Sequence, residues 1–126
     1  SVSGLKVIPL KVTTPDGAVH TFKVEVAASD EEQERGLMFR TQMGADEGMI
    51  FPHKVPIAAT FWMKNTVIPL DIIFIGSDRR IINIEANAAP YSLDPRPSAG
   101  LTSAVLELNG GRAAQFGIGP GAKVEW

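Results

Sequence analysis

The sequence contains no cysteine. That excludes thiol nucleophiles, Cys-ligated zinc, iron–sulfur clusters and disulfides. Histidine is almost as scarce, with only His20 and His53, which leaves little room for a nucleophile–histidine triad or a multi-histidine metal site. Long apolar runs are missing as well. No stretch, Ile72–Ile75 included, approaches the ~18 residues of a membrane span. Nor is there an excess of charge of one sign: 12 Lys and Arg stand against 14 Asp and Glu, a net charge of −2. Nucleic acid is therefore not expected as a partner, and the Arg79-Arg80 pair reads as a solvated hairpin tip.

What remains is an ordinary globular composition, 44% hydrophobic and 21% charged over 126 residues. It predicts a single domain, 1–126, that buries roughly two-thirds of its unfolded surface. The chain opens Ser1-Val2-Ser3-Gly4 with no Met and no legible targeting signal. Absence of cysteine fits the periplasm and the cytoplasm equally.

Alternation of apolar and polar residues organises the chain. Ile8, Leu10 and Val12, then Phe22, Val24 and Val26, flank Pro15-Asp16-Gly17 and predict a β-hairpin. Ser29-Asp30-Glu31-Glu32 is a capping box opening a helix over Asp30–Phe39, expected to set Leu37 and Met38 against the sheet and to plug an open end. Strands follow at Met49–Phe51, Ala58–Met63, Ile72–Ile75, Ile81–Ala86 and Ala104–Leu108, with a second hairpin turn at Gly76–Arg79. Residues 88–100 carry Pro90, Pro95 and Pro97 and read as one long loop. Gly110–Phe116 reads as a second short helix, and Ala122–Trp126 as the closing strand. The expected fold is β-rich α+β: a small barrel or two-layer sandwich of about seven mostly antiparallel strands with two short helices.

Three stretches carry a family likeness: Glu34-Arg35-Gly36-Leu37-Met38-Phe39-Arg40; Gly48-Met49-Ile50-Phe51; and Phe61-Trp62-Met63-Lys64-Asn65-Thr66, followed by Ile68-Pro69-Leu70-Asp71-Ile72-Ile73-Phe74-Ile75. Val105-Leu106-Glu107-Leu108-Asn109-Gly110-Gly111 adds to them. Over roughly Val7–Val124 the chain resembles the small prokaryotic domain-of-unknown-function family 192. The resemblance implies an exported, periplasmic protein, because members often carry a secretion or lipoprotein signal, and it brings no activity with it. Gly119-Pro120-Gly121-Ala122 departs from the Gly-Asp common in such tails.

Lys64 and Asp71 rank first among candidate site residues. Both lie where a strand meets an irregular turn, and a carboxylate beside the apolar run Ile72–Ile75 must be solvated, hydrogen-bonded or paired. Lys64, Arg40 and Arg35 are its expected cationic partners, and the structural alternative has Asp71 capping a turn. Glu107 lies on the strand face opposite Leu106 and Leu108. It would serve as acid or base with Asp71 if that face lines a shared cleft, or else faces solvent. Trp62 offers an aromatic platform for a sugar or peptide side chain, beside Asn65. Met38, Met43, Met49 and Met63, with His53 and Trp62, form a soft set for Cu(I), against which stands the use of Met as core filler. Gly110-Gly111 offers backbone N–H groups to an anion, and His20 reads as a partly exposed edge residue.

Three functions follow. The leading one is a non-catalytic exported binding or accessory module whose polar–aromatic pocket takes a small molecule, sugar or peptide without a cofactor. Its ligand contacts would be Trp62, Lys64, Asn65, Asp71, Arg40 and Glu107. The second is a hydrolase or lyase using Asp71 and Glu107, with Lys64 as electrostatic stabiliser. The third is a Cu(I) carrier using Met49, Met63 and His53.

Overall fold

The computed structural model describes residues 3–126, so the Ser1-Val2 start lies outside the described residues. The order is β1 (Val7–Thr13), β2 (Val19–Val26), α1 (Asp30–Arg35), β3 (Glu47–Phe61), β4 (Leu70–Ile75), β5 (Ile81–Ala88), β6 (Arg96–Asn109), α2 (Arg112–Gln115) and β7 (Lys123–Glu125). The seven strands form one sheet in the order β5-β4-β6-β3-β2-β1-β7. Every neighbouring pair is antiparallel except β2–β3. The sheet curls into a half-barrel, and its two edges touch where Arg80 pairs with Lys123.

The first hairpin forms as the alternation predicts, with Leu10 opposite Phe22 and Val12 opposite His20. Its inward residues join an apolar cluster fed by all seven strands, among them Leu10, Val24, Ile50, Ile73, Leu106 and Val124. That cluster is the concave interior. A second cluster covers the other face of the central strands, with Met49, Phe51, Ile72, Phe74 and Val105 at its heart. Strands β3, β4 and β6 are therefore apolar on both sides, which is why β4 reads as an unbroken run, Leu-Asp-Ile-Ile-Phe-Ile, with all six residues buried.

Two boundaries differ from expectation for physical reasons. Met49–Phe51 and Ala58–Met63 are not separate strands; β3 runs through both and bends at register shifts between Pro52 and Ile57 and between Ala58 and Thr60. Prolines there lack an N–H for the ladder, so the strand bulges instead of ending. Likewise β6 begins at Arg96, inside the expected long loop. Pro97 is tolerated because residues 96–103 pair with β3 alone, leaving the β4-facing edge of that segment free of ladder bonds.

Helix α1 is shorter than the predicted Asp30–Phe39. The capping box forms, with Ser29 Oγ accepting from Glu32 N at 3.1 Å and Glu32 Oε1 accepting from Ser29 N at 3.0 Å. Gly36, at φ 48° and ψ −129°, then stops the helix after Arg35. The helix plugs no open end of the curl. Gln33 Nε2 ties it to Ala27 O at 3.0 Å and Pro52 O at 2.8 Å, and Leu37 just beyond it packs into the second cluster. Ala113 of α2, with Phe116 and Ile118 after it, packs against the interior instead.

Candidate functional site

Asp71 and Glu107 sit on adjacent strands but not on the same side. The ladder pairs Asp71 with Leu108 and Ile72 with Glu107. Because side chains alternate, Asp71 points with Ile73 and Ile75 to the interior, and Glu107 points with Val105 to the second face. The sheet separates them, so the expected acid–base pair does not form.

Asp71 is 0% exposed and has no cationic partner among the described residues. Its oxygens accept from Asn87 N at 2.8 Å, Gly111 N at 3.1 Å and Ala113 N at 2.9 Å. Two of those donors belong to the start of α2, so the carboxylate acts as that helix's N-terminal cap from across the sheet. Gly110-Gly111 thus does present a backbone N–H to an anion, and the anion is the chain's own Asp71. The expected pairing with Lys64, Arg40 or Arg35 is replaced by these three amides. Arg40 is engaged elsewhere, in a bidentate pair with Glu25 whose Nη2–Oε1 distance is 3.0 Å.

Glu107 is the opposite case. It is only 4% exposed, which overturns the solvent-facing alternative. Its neighbours across the ladders are Met49 and Ile72, both buried and apolar. Among the described residues none donates a hydrogen bond to it or pairs with its charge. Burial alone pushes its pKa up to about 8, so the side chain is mostly a neutral acid at pH 7. The sequence reading missed this because alternation tells which face a residue takes, not whether something covers that face.

The carboxyl opens into a cavity of about 330 Å³ between α1 with the turn after it, the bend of β3 and the loop after β3. Phe51 and Phe61 wall it edge to face, 5.1 Å between centroids. His53 lines it too, its Nδ1 held 3.0 Å from Thr102 Oγ1. Lys64 and Arg35 stand on the lining as well, each over an aromatic ring: Lys64 Nζ 5.2 Å from the Trp62 centroid, Arg35 Cζ 5.8 Å from that of Phe39. Trp62 is 49% exposed, so its ring forms part of the rim. Of the expected ligand contacts, Trp62, Lys64 and Glu107 meet around this cavity; Asp71 and Arg40 do not, and Asn65 borders an adjoining groove.

Three turns near the cavity, after α1, after β3 and between β5 and β6, carry residues with unusual backbone. Phe39, Asn65 and Tyr91 all have positive φ, 66°, 54° and 63°. Phe39 N donates to Asn65 O at 2.8 Å, joining two of these residues, and Tyr91 N donates to Thr66 O at 3.1 Å. Left-handed geometry at a bulky residue costs about 1–3 kcal/mol and collects at functional sites. Trp62, Lys64, Glu107 and His53 on this lining are legible as candidates in the sequence; Gln33 and Thr66 as lining residues are not.

Other candidates resolve into packing. Met49 and Met63 are fully buried within the second apolar cluster, and Met43 packs against it. No cluster of three or more His, Cys, Asp or Glu suited to a metal occurs among the described residues. His20 is partly exposed, as expected, beyond the stretch of β2 that pairs with β3; its ring stacks on Phe116, 4.5 Å between centroids, with its Nε2 buried. Arg79 lies over Trp126 at 3.7 Å, and Arg80 donates to Gly121 O at 3.1 Å, so that hairpin tip is docked, not simply solvated. No helix among the described residues is long and apolar enough to cross a membrane.

Against known proteins, the profile of the DUF192 family, described as an uncharacterized ACR, matches residues 11–126. A protein of unknown function from Novosphingobium aromaticivorans has a crystal structure with a TM-score of 0.96 to this chain. It is 60% identical, over 99% of this chain and 89% of that one. A Sinorhizobium meliloti protein described as a "putative transcription regulator" is 38% identical with a TM-score of 0.94, over 96% and 94% of the two chains. No curated protein matches.

Proposed function

The chain belongs to the DUF192 family, and we propose that it is a non-catalytic binding module whose site is the cavity floored by Glu107. One observation carries this reading: a buried carboxyl with no partner among the described residues opens into a space large enough for a small molecule. Burying a polar group without a hydrogen bond costs about 1–3 kcal/mol in proteins, and a fold built for stability alone would put a Leu there. A bound molecule supplies the missing partner. The aromatic walls and the Trp62 rim supply apolar contact for it.

The two-carboxylate enzyme is not carried forward, since Asp71 lies across the sheet and is consumed by three amides. A regulator's role, as described for the Sinorhizobium protein, would make the cavity an effector site; a net charge of −2 offers no overall excess of basic residues for nucleic acid. The exported, periplasmic location stays with the proposal on the strength of the family resemblance; fractionation of cells expressing the native gene tests it separately.

The binding role is tested by NMR with a library of small neutral, anionic, cationic and zwitterionic compounds. At least one should shift the Trp62 indole and Thr66 amide signals and lose that effect in Ala58→Trp, which crowds the cavity from its wall. A library that moves none of these signals contradicts the proposal.

A further inference from the structure

We infer that the cavity takes a small zwitterion, an amino acid or short peptide, with its ammonium on Glu107 and its carboxylate at Lys64 and Arg35. This rests on the reading of the cavity as a ligand site and names the chemistry that site selects. The two ends of the cavity have opposite character. At the base lies the single acid, more than nine-tenths buried, between Met49 and Ile72 and beside the rings of Phe51 and Phe61. An ammonium placed there gains a charged hydrogen-bond partner and aromatic walls together.

Toward the mouth stand two cations, each laid over an aromatic ring and neither ion-paired among the described residues. Glu34 stands on that lining as well, and Glu31 on the adjoining groove, both on α1 with Arg35, so Lys64 is the cation at the mouth on the opposite side. His53 is the other titratable group facing the cavity, and its Nδ1 is already taken by Thr102.

Simpler ligands satisfy only one end. A plain amine would pass two like charges and leave them uncompensated. A plain acid would reach Lys64 and Arg35 and leave Glu107 unpartnered. A sugar would use neither charge. The cavity also continues into a groove bordered by Glu31, Phe39 and Asn65 that shares Glu34, Arg35, Met38, Trp62 and Lys64 with it. That gives a dipeptide's second residue a path outward. Because Glu107 is protonated when the cavity is empty, an arriving ammonium must drive its proton into solvent, and binding at pH 7 carries a proton release.

Isothermal calorimetry with a pool of apolar dipeptides, leucyl-leucine among them, in two buffers of different ionisation heat tests this. Binding should release about one proton at pH 7. N-acetylation of the peptides should weaken it about tenfold or more, and C-terminal amidation by about three- to tenfold at the more exposed rim. Glu107→Gln, with an unchanged circular dichroism spectrum, should abolish the proton release and weaken binding by a similar factor to N-acetylation. Equal binding of acetylated peptides, or binding without proton release, overturns the inference. If no dipeptide binds while a neutral or singly charged library compound occupies the cavity, the zwitterion fails and the binding module stands. If nothing binds, both fail.

Discussion

Asp71 and Glu107 lie on neighbouring strands, one ladder position out of step, and both are withdrawn from water. On the interior face Asp71 is met by three backbone amides that the fold delivers from β5 and the start of α2. On the second face Glu107 is met by none among the described residues, and the space in front of it is open. Two acids with the same depth of burial therefore have different reasons to be there. The first closes a hydrogen-bonding account within the chain and reads as structural. The second leaves that account open and points to something from outside. Burial alone does not separate them; the list of partners does.

The contrast breaks most visibly at Asp71. Asp71→Ala leaves three N–H groups with no acceptor at the start of α2, and should cost about 5 kcal/mol in urea unfolding. A loss below about 1 kcal/mol would mean the amides are satisfied without it.

Glu107 should show the reverse behaviour, through pH. The folded protein keeps this proton up to about pH 8, whereas an unfolded chain releases it around the ordinary 4.5. The folded state then binds more protons through that window, so stability falls as pH rises across it. Wild type should lose on the order of 4 kcal/mol relative to Glu107→Gln between about pH 4.5 and 8. Parallel curves for the two proteins would show that the carboxyl is not desolvated.

The backbone beneath Glu107 offers a sharper probe. A Cβ at Gly48 would lie 2.4 Å from the Glu107 carbonyl oxygen, so β3 and β6 approach there as only glycine allows. Gly48→Ala should cost about 2–3 kcal/mol by thermal unfolding and shift the cavity-lining NMR signals of Thr66 and Trp62. Perturbation centred on α2 would place the strain on the wrong face. The smallest effect is an absence: Lys64→Met and Asp71→Ala should add within about 0.5 kcal/mol in a double-mutant cycle, because no pair links them.

The sequence was most legible where the signal is local. Period-2 alternation found the β1–β2 hairpin in register, and Ser29 with Glu32 announced the start of α1. Asp71 was recognised as an acid needing partners, yet two of those partners lie some forty residues downstream, a distance at which spacing says nothing. Alternation puts Glu107 on the correct strand side and leaves cleft or solvent open, since no local pattern tells that α1 and the bend of β3 cover it. Pro52, Pro56 and Pro97 hid strand continuity, because a bulge or an unpaired edge lets a strand pass through residues that usually end one.

The most direct test of the account is the titration of Glu107 itself, followed by carboxyl carbon-13 NMR in the ligand-free protein with Glu107→Gln to assign the signal. A buried acid without a partner among the described residues should titrate with a midpoint near 8. A midpoint in the ordinary glutamate range, around 4.5, would mean the carboxylate is solvated or paired in solution, and the case for Glu107 as the waiting half of a binding site would be contradicted.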